Sequence, residues 1–148
     1  MKEMTIEVFS RLVVEKFITD LPHVIISIRE PGSNPPNLPE NPNRIAELFI
    51  ECDDIDVDSP SFKRFTEDDA KAILGLLKVT LPYINTVVVH CEAGKSRSAG
   101  VGAALSILLK VPDGDKKYFN PRGPYYPNRY IYRTMLDTAI KENWNGLE

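Results

Sequence analysis

The sequence predicts an α/β fold: a mostly parallel central sheet of four to five strands flanked by helices. Two observations carry this. Val24-Ile25-Ile26-Ser27-Ile28 and Thr86-Val87-Val88-Val89 are near-continuous β-branched runs, the pattern of strands buried on both faces. Between such runs lie segments of helical period, the clearest carrying Ala70, Ile73, Leu74 and Leu77. Strands that alternate with helices pair most simply in a parallel layer. The 148 residues are enough to bury one core, so a single domain over 1–148 is expected.

In chain order, Thr5 to Phe9 reads as a short strand, and Ser10 caps a short helix running to about Phe17. The strand at Val24 to Ile28 follows. Pro31 to Pro42 holds five prolines, three asparagines and a glycine, which makes it a loop. Ala46 to Cys52 reads as another buried strand and runs into the acidic stretch Asp53-Asp54-Ile55-Asp56-Val57-Asp58. Thr66 with Asp69 resembles a capping box ahead of the helix that stops near Pro82. After the strand at Thr86 to Val89, His90 to Ser98 is a loop and Ala99 to Lys110 an apolar, small-residue helix. Val111 to Pro127 is a second loop. Asn128 to Asn143 closes the chain as a helix, with Ile131, Met135, Leu136 and Ile140 on one face.

Composition narrows the function. A net charge of -3 argues against a duplex nucleic acid or an anionic membrane as the main partner. No apolar run approaches a membrane span, and Met1 to Ser10 has no signal-peptide core. Cys52 and Cys91 make no disulfide scaffold, which favours a cytoplasmic setting, and with His23 and His90 they show no zinc spacing. No cofactor or metal is expected.

The informative segment is His90-Cys91-Glu92-Ala93-Gly94-Lys95-Ser96-Arg97-Ser98, between a buried strand and a helix. Ligands of open parallel sheets bind at the carboxyl ends of the strands, and a helix N-terminus there favours a phosphate. Gly94-Lys95-Ser96 shares three residues with a nucleotide P-loop. That motif needs a glycine five residues before Gly94, where Val89 stands inside the strand. The better reading is Cys-x5-Arg-Ser. Five intervening residues, Glu92 to Ser96, can wrap one phosphoryl group with their N–H groups turned inward. Arg97 can grip two phosphate oxygens with its planar fork. The helix N-terminus, the amides and Arg97 together favour a thiolate at Cys91, making it a nucleophile toward phosphorus. The Ser98 hydroxyl can donate to the sulfur and ease its departure. His90 is expected to brace the loop backbone.

With these residues in place, the segment resembles the signature of the cysteine-dependent protein tyrosine phosphatase superfamily. Its position past mid-chain, after several strands, looks like the dual-specificity branch, and Pro127-Asn128 ahead of the last helix is a second match. Val111 to Pro127 departs from that branch, where a further helix is common. The resemblance implies a phosphocysteine enzyme whose general acid is an Asp in the loop after an earlier strand. Asp54 is favoured there, with Asp53, Asp56 and Asp58 as alternatives. It also implies that Asn128 braces the loop or positions water. The substrate expected is protein phosphotyrosine, with phosphoserine and phosphothreonine as further substrates. A phosphoinositide, an inositol phosphate, an RNA 5′-phosphate or a catalytically idle phosphate-binding module are the alternatives. Lys95 favours substrates with extra phosphates, and Glu92 opposes this. Cys52 is read as a core thiol, with a disulfide to an oxidised Cys91 as the other option. Tyr125, Tyr126 and Tyr130 could line a pocket, with packing as their default.

Overall fold

The computed structural model describes residues 3–146. Strands β1 (Thr5–Phe9), β2 (His23–Arg29), β3 (Arg44–Glu51) and β4 (Thr86–His90) form one sheet in the order β1-β4-β2-β3, with every neighbouring pair parallel. β2 and β4 hold the middle and are buried on both faces, as their unbroken β-branched runs require. β3 differs from the expected buried strand. It lies at the sheet edge, and its residues alternate, with Ile45, Glu47 and Phe49 exposed and Ile50 buried. An edge strand covered on one face needs only every second side chain to be apolar.

Each helix has a local cause. Helix α1 (Arg11–Val14) starts at Ser10, whose hydroxyl accepts from the Val13 N–H at 3.2 Å. It ends three residues before Phe17, and Phe17 still packs on Phe9, with ring centroids 5.0 Å apart. Helix α2 (Glu67–Thr80) carries the full capping box. Thr66 accepts from the Asp69 N–H, and Asp69 accepts from the Thr66 N–H, worth about 1 kcal/mol. It buries Ala70, Ile73, Leu74 and Leu77, then tightens into a 3-10 turn at Leu81–Tyr83.

Helix α3 (Arg97–Leu108) begins two residues earlier than expected, so Arg97 and Ser98 are its first residues rather than part of the loop. It is buried nearly all round and therefore built of small residues. A Cβ on Gly100 would stand 2.8 Å from the Asn128 carbonyl oxygen, so glycine permits the close approach of the next helix. That helix, α4 (Arg129–Lys141), is capped by Asn128, whose side chain accepts from the Ile131 N–H at 3.0 Å. Its buried stripe is Ile131, Met135, Thr138 and Ala139. Leu136 is half-buried, and Ile140, expected on this face, is 75% exposed. Adjacent positions Ala139 and Ile140 point 100° apart on a helix, and the core takes the smaller one. Among the described residues, no helix is long and apolar enough to cross a membrane.

Candidate active site

β4 delivers the cysteine loop to the carboxyl edge of the sheet. Neighbours fix the loop on both flanks. On one side the Cys91 N–H donates to the Phe9 carbonyl at 3.4 Å and the Arg11 N–H donates to the Glu92 carbonyl at 3.1 Å. On the other, the Lys95 carbonyl accepts from the Tyr126 N–H at 2.8 Å, and the Ser96 carbonyl accepts from the N–H groups of Gly100 at 2.8 Å and Asn128 at 3.0 Å. Gly94 makes this tightness feasible. Its φ is 70°, and a Cβ there would overlap the Phe9 and Ser10 backbone at 2.5 Å.

The carbonyls of Glu92, Lys95 and Ser96 are thus spent and the loop's amides are not. Among the described residues, none accepts a hydrogen bond from the backbone N–H of any residue from Glu92 to Ser98. Seven consecutive free donors opening a helix form an anion-binding nest.

The side chains complete it. The Cys91 sulfur lies 3.0 Å from the Ser98 hydroxyl, a pair in which either group can donate. Arg97 is 6% exposed and donates from one terminal nitrogen to the Cys52 carbonyl at 2.9 Å and from the other to Glu30 at 2.5 Å. Burial works against its charge, but the Glu30 bond and the nearby Cys91 and Cys52 hold the guanidinium above its ordinary value. Desolvation alone would raise the Glu30 carboxyl. Its hydrogen bond to Arg97 reverses the sign and holds it below the usual carboxylate range.

His90 lies beneath the loop. Register places it opposite Ser27 of β2, and its Nε2 is 2.7 Å from the Ser27 hydroxyl while its Nδ1 is 3.4 Å from the Cys91 carbonyl. A carbonyl only accepts, so Nδ1 carries the proton and Nε2 accepts from Ser27. Burial pushes the imidazole down to about 4, so this neutral form holds at neutral pH.

The four loop aspartates separate. Asp54 turns toward the cysteine loop: its Oδ1 accepts from the Ser96 hydroxyl at 2.7 Å and from the Asn128 amide at 2.9 Å. The same amide donates to the Ile55 carbonyl at 3.1 Å. Asp53 closes its own turn by accepting from the Lys63 N–H at 2.8 Å. Asp58 faces Arg64 at 3.5 Å. Asp56 is exposed and, with Asp54, Ser96 and Asn128, lines a cleft of about 330 Å³ beside the loop. A larger cleft of about 500 Å³, between Leu108 and Trp144, is lined by none of these groups.

The remaining candidates also divide. Glu92, Ala93 and Lys95 are exposed on the loop. Tyr125 packs on Tyr118, and Tyr130 lies under the Arg64 guanidinium at 4.0 Å, so both serve packing. Tyr126 is 70% exposed beside Lys95. Cys52 is fully buried, and desolvation pushes its thiol up to about 12 despite the partly opposing charge of Arg97. Two residues of the site, Ser27 and Glu30, carry no motif. The signal that could have found Glu30 is its place just past the end of a buried parallel strand, the same edge that presents Cys52 and Cys91.

The cysteine-led nest thus sits between the central β4 and α3 of a parallel sheet. Solved structures share the fold. Human DUSP28 superposes with a TM-score of 0.63 over 93% of this chain and 93% of its own, at 14% identity. The human tyrosine phosphatase-like serine/threonine/tyrosine-interacting protein gives 0.56 over 83% of this chain and 79% of its own, at 19% identity. A mouse structure of dual specificity phosphatase description, complexed with zinc tungstate, gives 0.51 over 80% and 70%, at 16% identity. No protein-family profile matches the sequence, and no curated protein matches it significantly.

Proposed function

We propose that the protein is a phosphatase that hydrolyses phosphate monoesters through a phosphocysteine, with protein phosphotyrosine as the principal substrate and phosphoserine and phosphothreonine as further ones. The observation that supports this reading is the row of unpaired amides from Glu92 to Ser98, on the segment that runs from Cys91 into the helix opened by Arg97. An equatorial phosphoryl oxygen gains most from such donors as its charge redistributes in the transition state.

In the first step the Cys91 sulfur attacks phosphorus and the phosphorus–oxygen bond to the leaving group breaks. Asp54 gives its proton to the departing oxygen. Because Oδ1 already accepts two hydrogen bonds, the proton belongs on Oδ2. In the second step water attacks phosphorus, Asp54 takes a proton from that water, and the sulfur–phosphorus bond breaks. Ser98, 3.0 Å from the sulfur, donates to it as it leaves. Arg97 holds two phosphoryl oxygens throughout. Asp54 is favoured over its neighbours because it alone of the four reaches the cysteine loop through hydrogen bonds.

The test is hydrolysis of p-nitrophenyl phosphate in EDTA by freshly reduced protein. Turnover is expected to persist in the chelator and to vanish in Cys91→Ser. Activity that survives Cys91→Ser contradicts the reading, as does phosphate binding without any turnover of aryl phosphates or phosphopeptides.

A further inference from the structure

Cys91 is 2% exposed, so a phosphoryl group must descend into the nest while the molecule that carries it stays outside, across the rim. Three separate segments border the cysteine loop, and each holds apolar side chains in water. On one flank Leu12 and Val13 follow Arg11, whose N–H holds the Glu92 carbonyl; Leu12 is 73% exposed and Val13 48%. On the other flank Tyr126, 70% exposed, holds the Lys95 carbonyl through its own N–H. In the aspartate loop, Val57 follows Asp56 of the neighbouring cleft. Phe62 precedes Lys63, which exchanges two hydrogen bonds with Asp53, at 2.7 and 2.8 Å. Val57 and Phe62 are both exposed. Single exposed apolar side chains are ordinary, and Ile140 is one. Those around the cysteine loop converge from distant parts of the chain, and such a group marks an interaction surface.

Charge decides what covers them. The exposed charges of the rim are mixed in sign, Asp54, Asp56 and Glu92 against Lys63, Lys95 and Arg129. Asp58 faces Arg64 and adds no excess of either sign. An anionic bilayer is drawn to a surface by surplus Lys and Arg, and an acidic peptide needs the same surplus. The rim has none, and the whole chain carries -3. Apolar contact is the attraction that remains. We propose that the rim selects phosphopeptides with apolar side chains on both sides of the phosphoresidue, a preference that rests on the phosphatase reading above. Leu12 and Val13 take one side and Tyr126 the other, with Val57 and Phe62 meeting the peptide from the aspartate loop. Covering such side chains removes apolar area from water, and binding energy gained away from the reacting atoms raises kcat/KM.

The experiment measures kcat/KM on phosphotyrosine peptides of one length, flanked on both sides by leucine, by serine or by glutamate. A phosphatidylinositol monophosphate in phosphatidylcholine vesicles is run beside them. The leucine-flanked peptide is expected to exceed the serine-flanked one about tenfold, and the glutamate-flanked one to be no better than serine. In the double variant Leu12→Ser with Tyr126→Ser, the leucine-to-serine ratio is expected to fall to about threefold or below. The ratio compares two peptides on one protein, so a general loss of activity or of folded protein cancels from it. A wild-type ratio near one, a preference for glutamate, or a ratio that the variant leaves unchanged overturns the proposal. Faster turnover in vesicles than on any peptide gives the rim to a bilayer and also overturns it. Wild type that hydrolyses no ester defeats the phosphatase reading; the same ratio, read as peptide affinity by fluorescence anisotropy, still tests the rim. Wild type that binds none of the peptides defeats both.

Discussion

His90 is buried, neutral and tied at both ring nitrogens, and this couples stability to pH. Its folded value of about 4 lies below the ordinary 6.5 because the interior disfavours the imidazolium. Between these values the unfolded chain binds a proton that the folded chain does not. The contribution is complete above pH 6.5 and is lost as pH falls toward 4, on the order of 3 kcal/mol in all. Urea midpoints taken across that window are expected to fall, and to fall less in His90→Gln. Gly94 gives a second prediction. Gly94→Ala places a methyl group inside the Phe9–Ser10 backbone at a positive φ, a cost of about 1–3 kcal/mol from the dihedral alone. Thermal melting should drop, and tungstate affinity should fall with it. A third concerns Cys52. With its thiol pushed up to about 12 and no surface exposed, it should resist iodoacetamide at neutral pH in folded protein and react once denatured, as read by peptide mass. Cys91, Arg97 and Ser98 were legible because the loop's own length encodes their geometry. Glu30 was not, since its partner lies 67 residues away in sequence and only the sheet joins them.

Asn128 shows how one element boundary serves two purposes. Its side-chain oxygen caps α4, and its amide holds Asp54 and Ile55. Substitution separates these tasks. Asn128→Asp keeps a good N-cap acceptor, loses both amide donors and sets a second carboxylate against Asp54. Melting is expected to stay near that of wild type while kcat falls about tenfold or more. Asn128→Ala should lose about 1 kcal/mol of stability as well. Equal kcat in wild type and Asn128→Asp would show that the clamp on Asp54 does not serve turnover. At this scale the strands and α2 were legible from period and capping residues. β3 was misread because an apolar strand reads alike at the centre and at the edge, where only partners decide exposure. α3 starts early because a helix can begin on polar residues whose amides remain unspent, a feature invisible to an apolar pattern. Ile140 was misassigned because hydrophobicity names candidates for a face, and packing against Gly100 and its neighbours selects among them.

Across the molecule, β2, β3 and β4 end at one edge, and this brings Glu30, Cys52, Asp54 and Cys91 to a common place from distant points in the sequence. α3 contributes Arg97 and Ser98 at its N-terminus, and α4 closes the site through Asn128. The fold class followed from alternating strand and helix patterns, whereas the different hydrogen bonds of the four aspartates depend on the meeting of the loop after β3 with the cysteine loop and the N-cap of α4. The central claim is that phosphorus is transferred to one sulfur atom. It is tested most directly by mixing protein with p-nitrophenyl phosphate, quenching in acid within the first turnovers and mapping the phosphoryl group by peptide mass. The account predicts a phosphoryl adduct on the peptide containing Cys91, absent in Cys91→Ser. Steady hydrolysis with no adduct on Cys91 at any quench time, or an adduct on another residue, would contradict it.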